Sequence, residues 1–182
     1  MTLRRICVFC GSSPGARPEY REAALQLADT LVDRKLGLVY GGASVGLMGQ
    51  IADRVLARAG EVIGVIPNTL VEMEVAHAGL ADLRRVGSMQ ERKAVMAELS
   101  DAFISLPGGF GTLDEMTEMV TWSILGIHGK PSGLLNIDGY YDPLLRFLDH
   151  AVTEGFIKPK HRALLMVANT PSEILNQFAR LR

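Results

Sequence analysis

Two rhythms of apolar residues alternate along this chain. Short, nearly continuous apolar runs read as strands: Arg4–Cys10, Leu36–Tyr40, Glu61–Ile66, Ala102–Leu106, Ser132–Ile137 and Leu164–Val167, with a weaker one at Asp82–Val86. Between them lie longer stretches with helical spacing, such as Pro18–Lys35 with its Ala24, Leu27, Ala28, Leu31 and Val32. Further helices are expected over Leu47–Ala59, stopped by Gly60, and from Ser88 to about Leu99. Two more run from Thr112 to about Leu125 and from Asp142-Pro143 to Gly155. A closing helix opens at Thr170-Pro171-Ser172-Glu173, where a capping box meets proline at the first helical position. Asn68–Leu80 follows neither rhythm.

Strands that are apolar on both faces need cover on both faces, and here helices follow strands throughout. The expected fold class is α/β: a Rossmann-like, doubly wound parallel sheet with helices on both faces. The 182 residues contain no repeat, low-complexity tract or linker, so a single domain is expected. Such sheets bind ligands beyond the carboxyl ends of their strands. Three glycine loops follow strands, at Gly11-Ser12-Ser13-Pro14-Gly15, at Gly41-Gly42 through Gly46, and at Gly108-Gly109-Phe110-Gly111. They are therefore placed to converge on one crevice.

The third loop stands between a strand and a helix start, the order of an anion site. Glycines let backbone approach a ligand, and the unpaired N–H groups of the helix start point at it. Thr112 and Glu115 have the spacing of a capping box, which gives Glu115 a purely structural reading; Ser88 and Glu91 share that spacing. The dinucleotide fingerprint fails, because Asp114 stands where its third glycine belongs, and no Walker pattern is present. The loop suits a phosphate but lacks the marks of NAD or a triphosphate.

Charge narrows the partner. A net charge of −1 offers no field for a nucleic-acid backbone, whereas a mononucleotide needs only a local pocket. No apolar run approaches the ~20 residues of a membrane span, so no membrane partner and a cytoplasmic setting are expected. Cys7 and Cys10 form a C-x-x-C pair without a second ligand pair, inside a strand-like run, and are read as buried small hydrophobes. The four histidines, His77, His128, His150 and His161, are scattered. Neither a metal site nor a cofactor is expected.

Pro107-Gly108-Gly109-Phe110-Gly111-Thr112-Leu113-Asp114-Glu115 matches the P-G-G-x-G-T-x-x-E signature of the LONELY GUY (LOG) family, and Met89-Gln90-Glu91-Arg92-Lys93 resembles its M-x-x-R-K segment. Cys10 through Ser13, Tyr40-Gly41-Gly42 through Gly49, and Gly133 through Tyr141 are similar to family sequence as well. The resemblance spans Ile6 to about Asp149 and implies a Rossmann-like homodimer. The implied activity is that of a phosphoribohydrolase, which releases adenine-type cytokinin bases from nucleoside 5′-monophosphates. Where plant members have Gly-Glu-x-x-Gly-Glu, this chain has Met73-Glu74-Val75-Ala76-His77, which leaves base recognition open.

The implied chemistry passes through a ribose with oxocarbenium character, which calls for a carboxylate beside C1′. Glu115 is the catalytic candidate for that role. Arg92, always charged and fork-shaped, is the second, for holding phosphate or ribose oxygens. The substrate-binding set read from loops and resemblance is Gly11, Ser12, Gly41, Gly42, Glu74, Met89, Arg92, Lys93, Gly108, Gly109, Phe110, Gly111, Thr112, Glu115 and Thr121. Lys93 and Arg92 point about 100° apart on a helix, so both reach one ligand only over the helix end. Thr121 reads equally as an ordinary helix threonine. A carrier that binds a nucleotide or phosphorylated cofactor without cleaving it fits the same loops. The lysine decarboxylase label once given to the family fits worse, since no lysine shows a recognisable context for attaching pyridoxal phosphate. Finally, Met116, Met119, Val120, Trp122, Ile124 and Leu125 wrap the Thr112 helix in apolar groups, which is expected to supply part of a homodimer interface.

Overall fold

The computed structural model describes residues 3–73 and 76–181. Its strands are β1 (Arg5–Phe9), β2 (Gly37–Tyr40), β3 (Val62–Pro67), β4 (Asp82–Val86), β5 (Ala102–Ser105), β6 (Ser132–Leu135) and β7 (Leu165–Ala168). They form one sheet in the order β4-β3-β2-β1-β5-β6-β7, every pair parallel. The chain winds outward from β1 to the β4 edge, returns to β5 on the other side of β1, and winds out again to β7. The switch point, where loops turn away from each other and leave a crevice, therefore lies between β1 and β5.

The helices are α1 (Pro18–Asp33), α2 (Gly46–Ala57), α3 (Asn68–Glu72), α4 (Met89–Leu99), α5 (Phe110–Ile124), α6 (Asp142–Thr153), α7 (Pro159–Arg162) and α8 (Pro171–Arg180). One face of the sheet, through Ile6, Val8, Leu38 and Ile104, packs on Leu27, Leu31, Ile51, Val55, Ile174 and Phe178. The other face, through Cys7, Phe9, Val39, Val65 and Phe103, packs on Met96, Ala97 and Met119. Each fully buried side chain of this kind contributes roughly 1.5–3 kcal/mol. Alternation along β1 sends Cys7 to one face and Cys10 to the other; both are free, buried thiols whose ionisation burial opposes. They pack as small hydrophobes.

Three local expectations are revised. Helix α5 starts at Phe110, two residues before Thr112, with Gly109 as its N-cap and no side-chain cap. The Thr112–Glu115 capping box therefore does not form, because both residues already lie inside the helix. At α4, Ser88 accepts from the Glu91 backbone, but the Glu91 carboxylate accepts from the Gly87 N–H rather than from Ser88. Of the three expected boxes, Thr170–Glu173 is the one that closes in full. The segment without rhythm opens with α3, and further on Ala76 pairs antiparallel with Ala43 while the His77 N–H donates to the Gly42 carbonyl. It thus lies along the second glycine loop.

Candidate active site

At the switch point the loops after β1 and β5 are tied together before they part. The Gly11 N–H donates to the Pro107 carbonyl at 3.1 Å, and the Leu47 N–H of α2 donates to the Gly11 carbonyl at 3.0 Å. Beyond these bonds opens a crevice of about 190 Å³ lined by Cys10, Gly11, Ser12, Met48, Arg92, Gly109, Phe110, Gly111, Thr112 and Glu115. The start of α5 faces it with N–H groups that no helical carbonyl can reach.

Two charged side chains meet at its floor. Arg92 comes from the first turn of α4; its Nε donates to the Val65 carbonyl within β3 (3.1 Å) and its Nη1 stands 2.9 Å from Glu115 Oε1. Glu115 comes from the second turn of α5, and both side chains are more than nine-tenths buried. Burial raises the Glu115 carboxyl above the usual carboxylate range, while the Arg92 charge works in the opposite direction. The arrangement keeps an ionisable carboxylate beside a permanent cation in a place water barely reaches.

Gly41 makes this geometry possible. A Cβ there would collide with the Arg92 guanidinium and crowd Met48. Gly41→Ala is expected to displace Arg92 from Glu115, lowering kcat/KM by roughly ten- to a hundredfold and the melting temperature by several degrees. Gly42 has a positive φ of 74° and packs on Ile66 and Leu83, so its role is to turn the loop.

The remaining sequence candidates scatter. Phe110 lines the crevice, but the residue is 92% exposed. Gly108 lines a neighbouring chamber of about 280 Å³ with Tyr20, Leu47, Pro107 and Tyr140, which joins the crevice at Gly11, Ser12 and Gly109. Lys93 lies outside the crevice lining: its Nζ is 3.0 Å from Asp114 Oδ2 and 2.9 Å from Glu118 Oε2. Burial works against its ammonium, but these two carboxylates outweigh it and raise its pKa. Lys93 therefore staples α4 to α5. Met89, the first residue of α4, is 41% exposed and also off the lining. Thr121 sits roughly 14 Å along α5 from Thr112 and opens onto an apolar groove with Val120, Ile124, Leu144, Leu148 and Phe156. Glu74 lies outside the described residues.

Sequence reasoning missed Met48 and gave Cys10 only a core role, although both line the crevice. Met48 lies two residues into α2, directly after a glycine loop, and that adjacency was the one available signal. It also gave no individual role to Tyr20 or Tyr140.

Fold and site together define a Rossmann-like α/β protein with a small crevice at its switch point, floored by a buried Arg–Glu pair. Residues 48–178 match the family described as "Possible lysine decarboxylase". The chain is 59% identical over 176 residues to the probable cytokinin riboside 5′-monophosphate phosphoribohydrolase LOGL9 of Oryza sativa subsp. japonica, covering 97% of this chain and 78% of the relative. It is 52% identical over 176 residues to the cytokinin riboside 5′-monophosphate phosphoribohydrolase LOG7 of Arabidopsis thaliana, covering 97% and 81%. Among solved structures, a molybdenum cofactor binding protein from Rippkaea orientalis superposes with a TM-score of 0.74 at 22% identity, over 100% of this chain and 98% of that one, a likeness of fold. The chain belongs to the LOG family.

Proposed function

We propose that this protein hydrolyses the N-glycosidic bond of cytokinin riboside 5′-monophosphates and of AMP, releasing the adenine-type base and ribose 5-phosphate. The observation that carries the mechanism is the buried Arg92–Glu115 pair, 2.9 Å apart, on the floor of a crevice faced by the start of α5. The free N–H groups of that start hold the 5′-phosphate, with Gly109, Phe110, Gly111 and Thr112 around it. Arg92 holds ribose or phosphate oxygens and favours the ionised form of Glu115. Glu115 offsets the positive charge that develops at C1′ and takes a proton from the attacking water. The water oxygen bonds to C1′, the C1′–N bond breaks, and its electron pair leaves with the base, which gains a proton.

Incubation of the purified protein with a panel of nucleoside monophosphates, nucleosides and lysine tests the proposal. Free base and ribose 5-phosphate are expected. Retained nucleotide without turnover would point to a carrier, and released CO₂ to a decarboxylase.

The proposal extends to assembly and setting. The chain works as one cytoplasmic domain; none of its described helices is long and apolar enough to cross a membrane. It pairs with a second copy through α5 and its surroundings. Met116 and Met119 are buried within the chain itself, but Ile124 and Phe156 are exposed on the apolar groove, and Leu125 and Ile127 are exposed just after α5. Thr121 faces that groove rather than the crevice, so a contact with nucleotide requires a second copy. A dimer is expected by analytical ultracentrifugation at micromolar concentration, and Phe156→Glu is expected to shift it toward monomer.

A further inference from the structure

The loop that faces the phosphate has carbonyls as well as N–H groups, and an unengaged carbonyl beside an anion repels it. Each carbonyl of the loop has a partner. Pro107 O accepts from the Gly11 N–H, Gly109 O from the Leu113 N–H of α5, and Gly108 O from the Tyr140 hydroxyl at 2.7 Å. The first two are bonds between neighbouring backbone elements. The third comes from a side chain 32 residues away, on the turn between β6 and α6.

That turn is built to deliver it. Asp138 and Gly139 take left-handed conformations, with φ of 48° and 71°, and bring the chain back over the loop. The Asn136 side chain accepts from the Tyr141 N–H and donates to Asp142. The Tyr140 ring stands edge-on to Tyr20 at 5.5 Å and to Tyr141 at 4.9 Å, which fixes its direction. Tyr141 donates to the Leu106 carbonyl at 2.6 Å, at the strand end that precedes the loop.

A trans peptide unit is flat, with its C=O and N–H pointing in opposite directions. Holding the Gly108 carbonyl toward Tyr140, in the larger chamber, therefore turns the Gly109 N–H toward the crevice that contains Arg92 and Glu115. Gly108 lines only the larger chamber, whereas Gly109 lines both. We propose that Tyr140 is a positioning residue for the phosphate: its hydroxyl fixes the Gly108–Gly109 peptide so that the loop shows the anion donors alone. The inference rests on the nucleotide reading above and goes beyond it, since Tyr140 itself stays clear of the crevice.

Tyr140→Phe keeps the ring and removes only the donor. The KM for AMP and the Kd for ribose 5-phosphate, read by calorimetry, are each expected to rise roughly tenfold, with kcat within about threefold of wild type. The reaction of adenosine, which has no phosphate, is expected to keep its rate. Tyr141→Phe is the structural contrast, expected to lower the melting temperature but not the affinity for ribose 5-phosphate. An unchanged ribose 5-phosphate affinity in Tyr140→Phe overturns the proposal, as does a loss shared equally by adenosine and AMP. Because the calorimetric readout does not need turnover, it tests Tyr140 even if wild type releases no base, the outcome that would instead sink the hydrolase reading.

Discussion

Glu115→Gln is expected to lower kcat on a nucleoside monophosphate by roughly 10²–10⁴ while the protein still folds and binds nucleotide. Glutamine matches the size of the side chain and can still meet Arg92, but it neither accepts a proton from water nor offsets charge at C1′. The capping role that the Thr112–Glu115 spacing suggested is absent, so helix α5 loses no cap in this variant. Its stability cost comes instead from leaving the buried Arg92 cation beside a neutral amide, roughly 1–3 kcal/mol. Relief from burying a carboxylate offsets part of that. Wild type supplies a second reading of the same group. Burial raises the Glu115 pKa, so the base is lost to protonation above the usual carboxylate range as the pH falls. The acid limb of the kcat profile should therefore sit higher than for an exposed glutamate, and it should be missing in Glu115→Gln. A Gln variant with wild-type turnover would remove Glu115 from the chemistry.

AMP is expected to outperform adenosine by at least ~100-fold in kcat/KM, because the donors of the loop and the α5 start are left without a partner when the phosphate is missing. The crevice is small, about 190 Å³, and its side-chain cation is already engaged with Glu115. Much of the grip on the nucleotide must then come from backbone donors, which only an anion satisfies well. Gly109→Val, which places a branched side chain at the N-cap facing the anion, should remove much of the same advantage. Equal kcat/KM for AMP and adenosine in wild type would refute the phosphate assignment. Inorganic phosphate and ribose 5-phosphate should compete with AMP, and adenosine should not.

The fold was legible because parallel strands buried on both faces leave apolar runs; edge strand β4, with Arg84 and Arg85 exposed, gave the weaker signal. Each of the seven was placed within two residues of its observed bounds. Helix ends were less legible, since a glycine N-cap such as Gly109 leaves no side-chain signature, and the Thr-x-x-Glu spacing just inside the helix imitated one. At the site, the sequence motifs identified Arg92, Glu115 and the Gly109–Thr112 backbone, which the fold brings together. Of Arg92 and Lys93, they made Arg92 alone a catalytic candidate but placed both in the substrate-binding set. Both side chains reach α5, and the distinction depends on what each meets there: Arg92 meets Glu115 at the crevice, and Lys93 meets Asp114 and Glu118 outside it. The motifs could not show that Gly41 is needed for the room it gives Arg92, or that Tyr140 reaches Gly108. Both are contacts between residues far apart in sequence, and local pattern holds no record of them.

The position of β1 at the centre of the sheet has a consequence for how the chain comes into being. Its neighbour on one side, β2, follows after one helix, but its neighbour on the other side, β5, begins only at Ala102. On the ribosome, Ile6, Cys7, Val8 and Phe9 wait with one backbone edge open while about a hundred residues are made. Such an edge is a template for pairing with another nascent chain, and closing it takes a contact of long sequence separation, which is slow to form. The strand that ends in the crevice thus passes through a stage open to misassembly. Pro107 through Glu115 emerge right after the strand that seals that edge, so the chain acquires the glycine loop of its crevice only as the hazard ends.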